Sequence, residues 1–253
     1  MYDYLKIMDE SSNWWYRGRR AILDVLAKKY LPQNQKLNIL DIGCGMGSEF
    51  KWLEKYGTVF GVDPSKKAVE YSKGKVQNPD LIITGELPNN INFNTRFDFI
   101  TALDVIEHIQ EDVSALQYIN QNLLKTGGLI FVTVPAFQFL WSPHDEINLH
   151  KRRYTKTDLT NTLKESGFHV IKISYYNTFL FLLIAVVKIV SRIRWGNIPK
   201  AHINKPVNPI FNVLLFFILN LEKYFIKIIN FPFGISLLVI AEKRESNNES
   251  VSI

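Results

Sequence analysis

The stretch from Leu37 to Gly47 constrains this chain more than any other. It is an apolar run that ends in an acid and then carries glycines at alternate positions, Gly43, Gly45 and Gly47. Asn38, Ile39, Leu40, Asp41 and Ile42 read as a short buried strand. The glycines let the backbone turn sharply and approach a ligand more closely than any side chain allows. From Ser48 to Tyr56 the apolar positions return to helical spacing. A strand, a glycine turn and a helix N-terminus form a ligand-binding unit, because free N–H groups and the helix dipole point at the same place.

Spacing narrows the ligand. A dinucleotide fingerprint needs its third glycine, or an alanine, three residues after the second. Here that position is Ser48, and Gly47 sits two after Gly45. Further along, Thr58 to Val62 reads as a second strand ending in Asp63, with Pro64 at a helix start. Leu81 to Thr84 is a short third strand leading to Glu86. Phe97 to Leu103 is a fourth, followed by Asp104, Val105, Ile106, Glu107 and His108. Glu111 to Leu124 has helical period closed by Gly127 and Gly128, and Leu129 to Val134 is a fifth strand stopped by Pro135. Thr155 to Ser166 is a helix, and Phe168 to Tyr176 and Gly234 to Glu242 are two more strands. Strand and helix alternate throughout, which implies a parallel sheet covered on both faces.

The run Asp41-Ile42-Gly43-Cys44-Gly45-Met46-Gly47 resembles motif I of the class I S-adenosylmethionine-dependent methyltransferases. The acid after strand two, the Asp-x-x-Glu-His segment after strand four and the Gly-Gly turn before strand five fit the same family. The resemblance implies an α/β Rossmann-like fold with a seven-stranded sheet in the order 3-2-1-4-5-7-6, the last strand antiparallel. It implies S-adenosyl-L-methionine as cofactor, held by Asp41, Gly43, Cys44, Gly45, Gly47, Asp63, Glu86 and Asp104. Asp63 would take the ribose hydroxyls, although an acid before Pro64 also reads as a helix cap. The leading helix, from about Trp14 to Lys29, would lie over the cofactor edge.

Methyl transfer from a sulfonium asks mainly for alignment, and a hydroxyl acceptor also needs a proton acceptor. The candidates are His108 and the pair His144 and Asp145. A loop at the carboxyl ends of the strands is where substrates bind in open α/β sheets. On that ground Trp141, His150, Arg152, Arg153 and Tyr154 are candidate substrate contacts, with the two arginines suited to a phosphate or carboxylate. The His-Asp and His-x-Arg-Arg-Tyr elements resemble a subgroup of the family, as does the run from Trp14 to Arg20. Trp15 and Arg17 in that run are further substrate candidates, and its aromatics read either as a lid that excludes water or as core residues of the helix. Glu107, His108, His144 and Asp145 are all ligand types for a metal, but nothing in their spacing demands one, and none is expected.

The chain has 253 residues, 47% hydrophobic and 21% charged, with a net charge of +6 and one cysteine, Cys44. This fits one globular domain with an appendage, without disulfides or a cysteine zinc site. Met1 to Glu10 has acids and no apolar core, so no signal peptide is expected. The charge excess is local. Between Asn177 and Ile240 stand Lys188, Arg192, Arg194, Lys200, Lys205, Lys223 and Lys227 against one acid, Glu222, and the rest of the chain balances. That segment is also the most apolar, a combination that favours an anionic membrane surface over nucleic acid.

Within it, Phe179 to Val187 is unbroken apolar sequence, and Phe211 to Ile229 is a helix whose Asn212, Asn220, Lys223 and Lys227 share one stripe. The expected organisation is a methyltransferase domain (1–176 and 233–243), an apolar basic two-helix hairpin (177–232) lying in the membrane interface, and a flexible tail (244–253). The expected protein is cytoplasmic and monotopic, and methylates an amphiphilic or lipid-linked acceptor. The alternatives are a soluble small-molecule O- or N-methyltransferase whose hairpin makes a dimer, and a membrane adaptor that keeps the fold without catalysis.

Overall fold

The computed structural model describes residues 13–88, 90–186 and 208–245. The expected tail beyond Glu245, the residues before Asn13 and the middle of the insertion, with Lys188, Arg192, Arg194, Lys200 and Lys205, lie outside those residues.

Seven strands form one sheet: β1 (Leu37–Ile42), β2 (Gly57–Asp63), β3 (Ile82–Thr84), β4 (Phe97–Leu103), β5 (Leu124–Pro135), β6 (Phe168–Tyr176) and β7 (Ser236–Lys243). Their order is β3-β2-β1-β4-β5-β7-β6, as the resemblance implied. The first five run parallel, and β7 is antiparallel to both β5 and β6. Strands β1, β4 and β5 are apolar on both faces, since helices cover both sides of a parallel sheet. Ile39, Leu40, Phe99, Ile100, Phe131 and Val132 are fully buried there.

The helices are α1 (Trp14–Tyr30), α2 (Phe50–Leu53), α3 (Lys66–Lys73), α4 (Asp112–Tyr118), α5 (Pro143–Ile147), α6 (Lys156–Glu165), α7 (residues 181–186) and α8 (Pro209–Ile226). Several of them begin at a side-chain cap. Asn13 accepts from the Trp15 amide, Ser65 from Ala68, and Thr155 with Asp158 forms a reciprocal capping box. Helix α2 is shorter than its periodicity predicts, because Glu54 to Tyr56 curl directly into β2. Strand β5 begins at Leu124 and runs through Gly127 and Gly128, where a helix stop was expected. The helix before it widens into a π turn over Ile119–Leu123.

The insertion between β6 and β7 carries α8, which packs on α1. Leu219, Glu222 and Ile226 recur at helical spacing on its buried stripe. Gly18 on α1 admits Leu219: a Cβ there would lie 2.4 Å from Leu219 Cδ2. Asn212 Oδ1 accepts from the Trp14 amide at 2.8 Å, and the Arg17 guanidinium lies 4.0 Å over the Phe216 ring. Glu222 accepts from the amides of Asn177 (2.7 Å) and Phe179 (2.9 Å). Asn212, one member of the expected polar stripe, is therefore turned onto α1, where the Trp14 amide meets it. The outward face is apolar: Ile210, Phe211, Val213, Leu214, Phe217, Leu221, Tyr224, Phe225 and Ile228 are all exposed, Ile228 at 83%. Among the described residues, α8 is the one helix long and apolar enough by length and composition to cross a membrane.

Candidate functional site

At the carboxyl end of β1 the chain enters the glycine turn with Gly43, Gly45 and Gly47 at φ of 68°, 50° and 72°. These three do different work. A Cβ on Gly43 would sit 2.4 Å from Val105 Cγ2 and one on Gly47 2.7 Å from the Phe50 ring, so both are packing glycines. A Cβ on Gly45 meets nothing within 4 Å. Its amide donates to Asp63 Oδ2 at 2.9 Å, while Asp63 Oδ1 accepts from Ser65 N at 2.8 Å.

The turn borders a cleft lined by Tyr16, Arg19, Asp41, Gly43, Cys44, Gly45, Ser48, Glu49, Leu103 and Asp104. Asp41 is buried and accepts from Thr101 Oγ1 at 2.7 Å; burial pushes its carboxyl up to about 7. Asp104 stands at φ 57°, held by its amide on Thr133 O (2.9 Å) and by the Thr133 hydroxyl on Oδ1 (3.0 Å). Its other oxygen pairs with Arg19 Nη1, and Arg19 Nη2 reaches Glu49 Oε1 at 3.1 Å. Arg20 completes this network through Glu49 Oε2 at 2.7 Å. Arg19 is buried between two carboxylates, which hold its charge fixed, and its Nε has no partner among the described residues.

One turn of chain beyond Asp104, Glu107 is fully buried, and neither carboxylate oxygen has a hydrogen-bond partner among the described residues. Burial raises its carboxyl well above the ordinary range. His150 Nε2 lies 4.0 Å from Glu107 Oε1, and the His108 and His150 rings meet edge to face with centroids 4.7 Å apart. His150 Nδ1 bonds Asp145 Oδ1 at 2.9 Å. Asp145 is also gripped by Arg153 through Nε (2.8 Å) and Nη2 (2.9 Å), and accepts from the Ser142 amide and hydroxyl. These donors hold its carboxyl far below the usual range despite burial. The Lys151 amide on Glu107 O (2.8 Å) ties this loop to the turn after β4.

The structure thus brings Asp41, Gly43, Cys44, Gly45 and Asp104 to one cleft, with Asp63 just behind it and Gly47 inside the fold. Glu86 is exposed and outside the cleft lining, its carbonyl accepting from Asn90 N. The expected pair of His144 and Asp145 is not made. His144 is exposed with Nε2 2.9 Å from Asn148 Nδ2, because on α5 its ring points away from the buried Asp145. Asp145 pairs with His150 instead.

Several expected substrate contacts serve the fold. Arg153 is spent on Asp145 and on Ala136 O (3.0 Å), and Arg152 on Asp112 (2.9 Å) and Gln110 O (2.6 Å). The Tyr154 hydroxyl donates to Asp112 at 2.7 Å. The Trp15 ring packs tilted against Tyr176, with centroids 5.8 Å apart, and Arg17 faces α8. Trp141 is half-buried at the end of a turn, its amide on Gln138 O.

Arg19, Tyr16 and Glu49 were missed. The signal for Arg19 was present: it continues the buried stripe of Ile22, Leu23 and Leu26 at helical spacing. Nothing local marked Glu49.

A methyltransferase domain family matches residues 14–173, from the start of α1 almost to the end of β6. The chain belongs to the class I S-adenosylmethionine-dependent methyltransferases. Among curated relatives, it is 28% identical over 138 residues to a ubiquinone biosynthesis O-methyltransferase of Coxiella burnetii, covering 50% of this chain and 58% of that one. It is 30% identical over 145 residues to the protein of that name from Bradyrhizobium diazoefficiens, covering 49% and 57%. The chain thus spans less than two thirds of the length of these relatives. Its fold is similar to those of S-adenosylmethionine-dependent methyltransferases from Mesorhizobium loti (TM-score 0.55, 15% identity, 86% of this chain and 95% of that one) and Clostridium acetobutylicum (0.55, 14%, 89% and 92%). For this methyltransferase, the family match ends before α8, so the apolar helix lies beyond the matched span.

Proposed function

We propose that this methyltransferase moves the methyl group of S-adenosylmethionine to a hydroxyl of an amphiphilic acceptor, a lipid or a lipid-linked ring or glycan, at a membrane surface. One observation carries the reading. Helix α1 places Tyr16 and Arg19 in the cofactor cleft, and its other side is packed by α8, whose outward face is apolar. A contiguous apolar face of this kind marks an interaction surface. Because Glu222, Asn212 and Leu219 bind the helix to the domain along one stripe, α8 lies in the interface plane without crossing it. The relatives named for ubiquinone biosynthesis support a hydroxyl acceptor with an apolar tail.

In this reading, Gly43 and Gly45 seat the methionine part of the cofactor, Asp41 faces its ammonium, and Asp63, at the end of β2 beside Gly45, takes the ribose hydroxyls. Glu86 stands beyond the lining and contributes only if the adenine extends past the cleft. The acceptor oxygen is met by the group of Glu107, His108 and His150, so the place beside the acceptor expected of His144 passes to His150, with Asp145 as its positioning residue. The protein sits on the inner face of the membrane, with anionic lipid as its partner.

Calorimetry with S-adenosylmethionine and flotation with anionic vesicles test the two halves. Binding by wild type that is lost in Asp63→Ala, and salt-sensitive flotation, are the expected results. No cofactor binding, or a soluble dimer that ignores vesicles, contradicts the respective half.

A further inference from the structure

The geometry points to a binding site for one divalent transition-metal ion formed by Glu107, His108 and His150. Each residue offers one ligand atom, and the three atoms lie within 4.8 Å of one another. Ligands on a tetrahedral ion with bonds of ~2.1 Å stand about 3.4 Å apart, so only small side-chain rotations separate this group from a coordinating set. The His150 Nε2 to Glu107 Oε1 separation is already 4.0 Å.

A second, independent observation points the same way. The Glu107 carboxylate is fully buried and both of its oxygens lack a partner among the described residues. Buried charged groups are ordinarily paired or bound to a metal, since an uncompensated one is costly. The supporting contacts are also those of a metal site. His150 binds Asp145 through Nδ1, which fixes the tautomer and turns the Nε2 lone pair toward Glu107. This carboxylate–histidine arrangement is how metal-bound imidazoles are held. Arg153 and Ser142 lock Asp145 in turn. The remaining acid nearby, Asp104, is committed to Arg19 and Thr133 and is no ligand.

Two imidazole nitrogens and one carboxylate suit Zn²⁺ or Mn²⁺ better than Mg²⁺ or Ca²⁺, which prefer oxygen throughout. Three protein ligands leave a position open. Resting on the methyl-transfer reading above, that position takes the acceptor hydroxyl and lowers its pKa. The hydroxyl proton passes to water, an oxygen lone pair forms the bond to the methyl carbon, and the carbon–sulfur pair returns to sulfur as a neutral thioether.

The test reads metal content in the absence of substrate. Full-length protein is stripped with chelator, dialysed against Zn²⁺ or Mn²⁺, desalted and analysed by elemental mass spectrometry. About one ion per chain is expected for wild type, near none for Glu107→Gln and His150→Ala, and an affinity lowered about 10- to 100-fold for Asp145→Asn. Wild type that retains no ion, or Glu107→Gln and His150→Ala variants that retain as much as wild type, overturns the site. Should those variants fail to fold, pulsed electron paramagnetic resonance of Mn²⁺-loaded wild type with isotopically labelled histidine decides. Coupling to two imidazoles supports the site, and a spectrum of hydrated Mn²⁺ alone overturns it. Methyl transfer without metal binding defeats this inference and leaves the function standing; metal binding without methyl transfer does the reverse.

Discussion

Asp145 Oδ1 lies 2.9 Å from His150 Nδ1, five residues along the chain, while its immediate neighbour His144 turns outward to Asn148. The pair links the loop after β5 to Glu107 and His108 after β4, and it decides which histidine the chemistry can use.

His150→Ala is therefore expected to lower turnover by about 10²- to 10⁴-fold, the range for losing a group that assists deprotonation of the acceptor. Cofactor affinity should stay the same. His144→Ala should leave both unchanged. Steady-state rates together with calorimetric titration of S-adenosylmethionine check this, and an impaired His144→Ala enzyme would return the role to that residue.

The three glycines of the turn should separate in mutagenesis. Gly43→Ala forces a methyl against Val105 in a left-handed backbone and should lower the melting temperature by several degrees. Gly45→Ala has open space around its new methyl, so the cost is limited to backbone strain, on the order of 1 kcal/mol. Its main effect should be lost cofactor affinity, since the methyl enters the cleft. Differential scanning calorimetry with and without cofactor distinguishes the two.

Burial pushes the Glu222 carboxyl up to about 7 from an ordinary 4.5, against the amides of Asn177 and Phe179. The folded protein thus holds this proton more tightly than the unfolded chain does. Its contribution to stability is full below about pH 4.5 and is lost as pH rises through about 7. The change is on the order of 3 kcal/mol across that window. Denaturant titrations at pH 5 and 8, chosen as roughly the two sides of the transition, should show a pH difference in wild type that shrinks in Glu222→Gln. An equal pH dependence in the variant would refute it.

The two sides of α8 should respond oppositely. Leu219→Ala removes a fully buried side chain seated on Gly18 and should cost about 2–5 kcal/mol of stability. Phe217→Ser with Leu221→Ser, on the exposed face, should change stability by about 0.5 kcal/mol or less and weaken binding to anionic vesicles. Thermal unfolding and vesicle co-sedimentation measure the two effects.

The sheet order followed from the family resemblance, and the cleft was legible because strand, glycine turn and acid fall in one continuous stretch, from Leu37 to Asp63. What stayed hidden depended on rotation about a helix axis or on distant partners. His144 and His150 are equivalent in sequence terms, and only the turn of α5 buries Asp145 toward one of them. Arg152 and Arg153 read as anion binders until Asp112 and Asp145 were seen beside them. The polar stripe of α8 was visible, but not that α1 would meet its Asn212, because Trp14 and Asn212 stand 198 residues apart.

The most direct measurement of the central claim uses S-adenosylmethionine carrying a labelled methyl group, incubated with the protein and anionic vesicles made from lipid extract. The account predicts label in the organic-soluble fraction with wild type, and its loss with Asp63→Ala and with His150→Ala. Label that stays entirely in the aqueous phase, with the cofactor bound and the vesicles occupied, would contradict it.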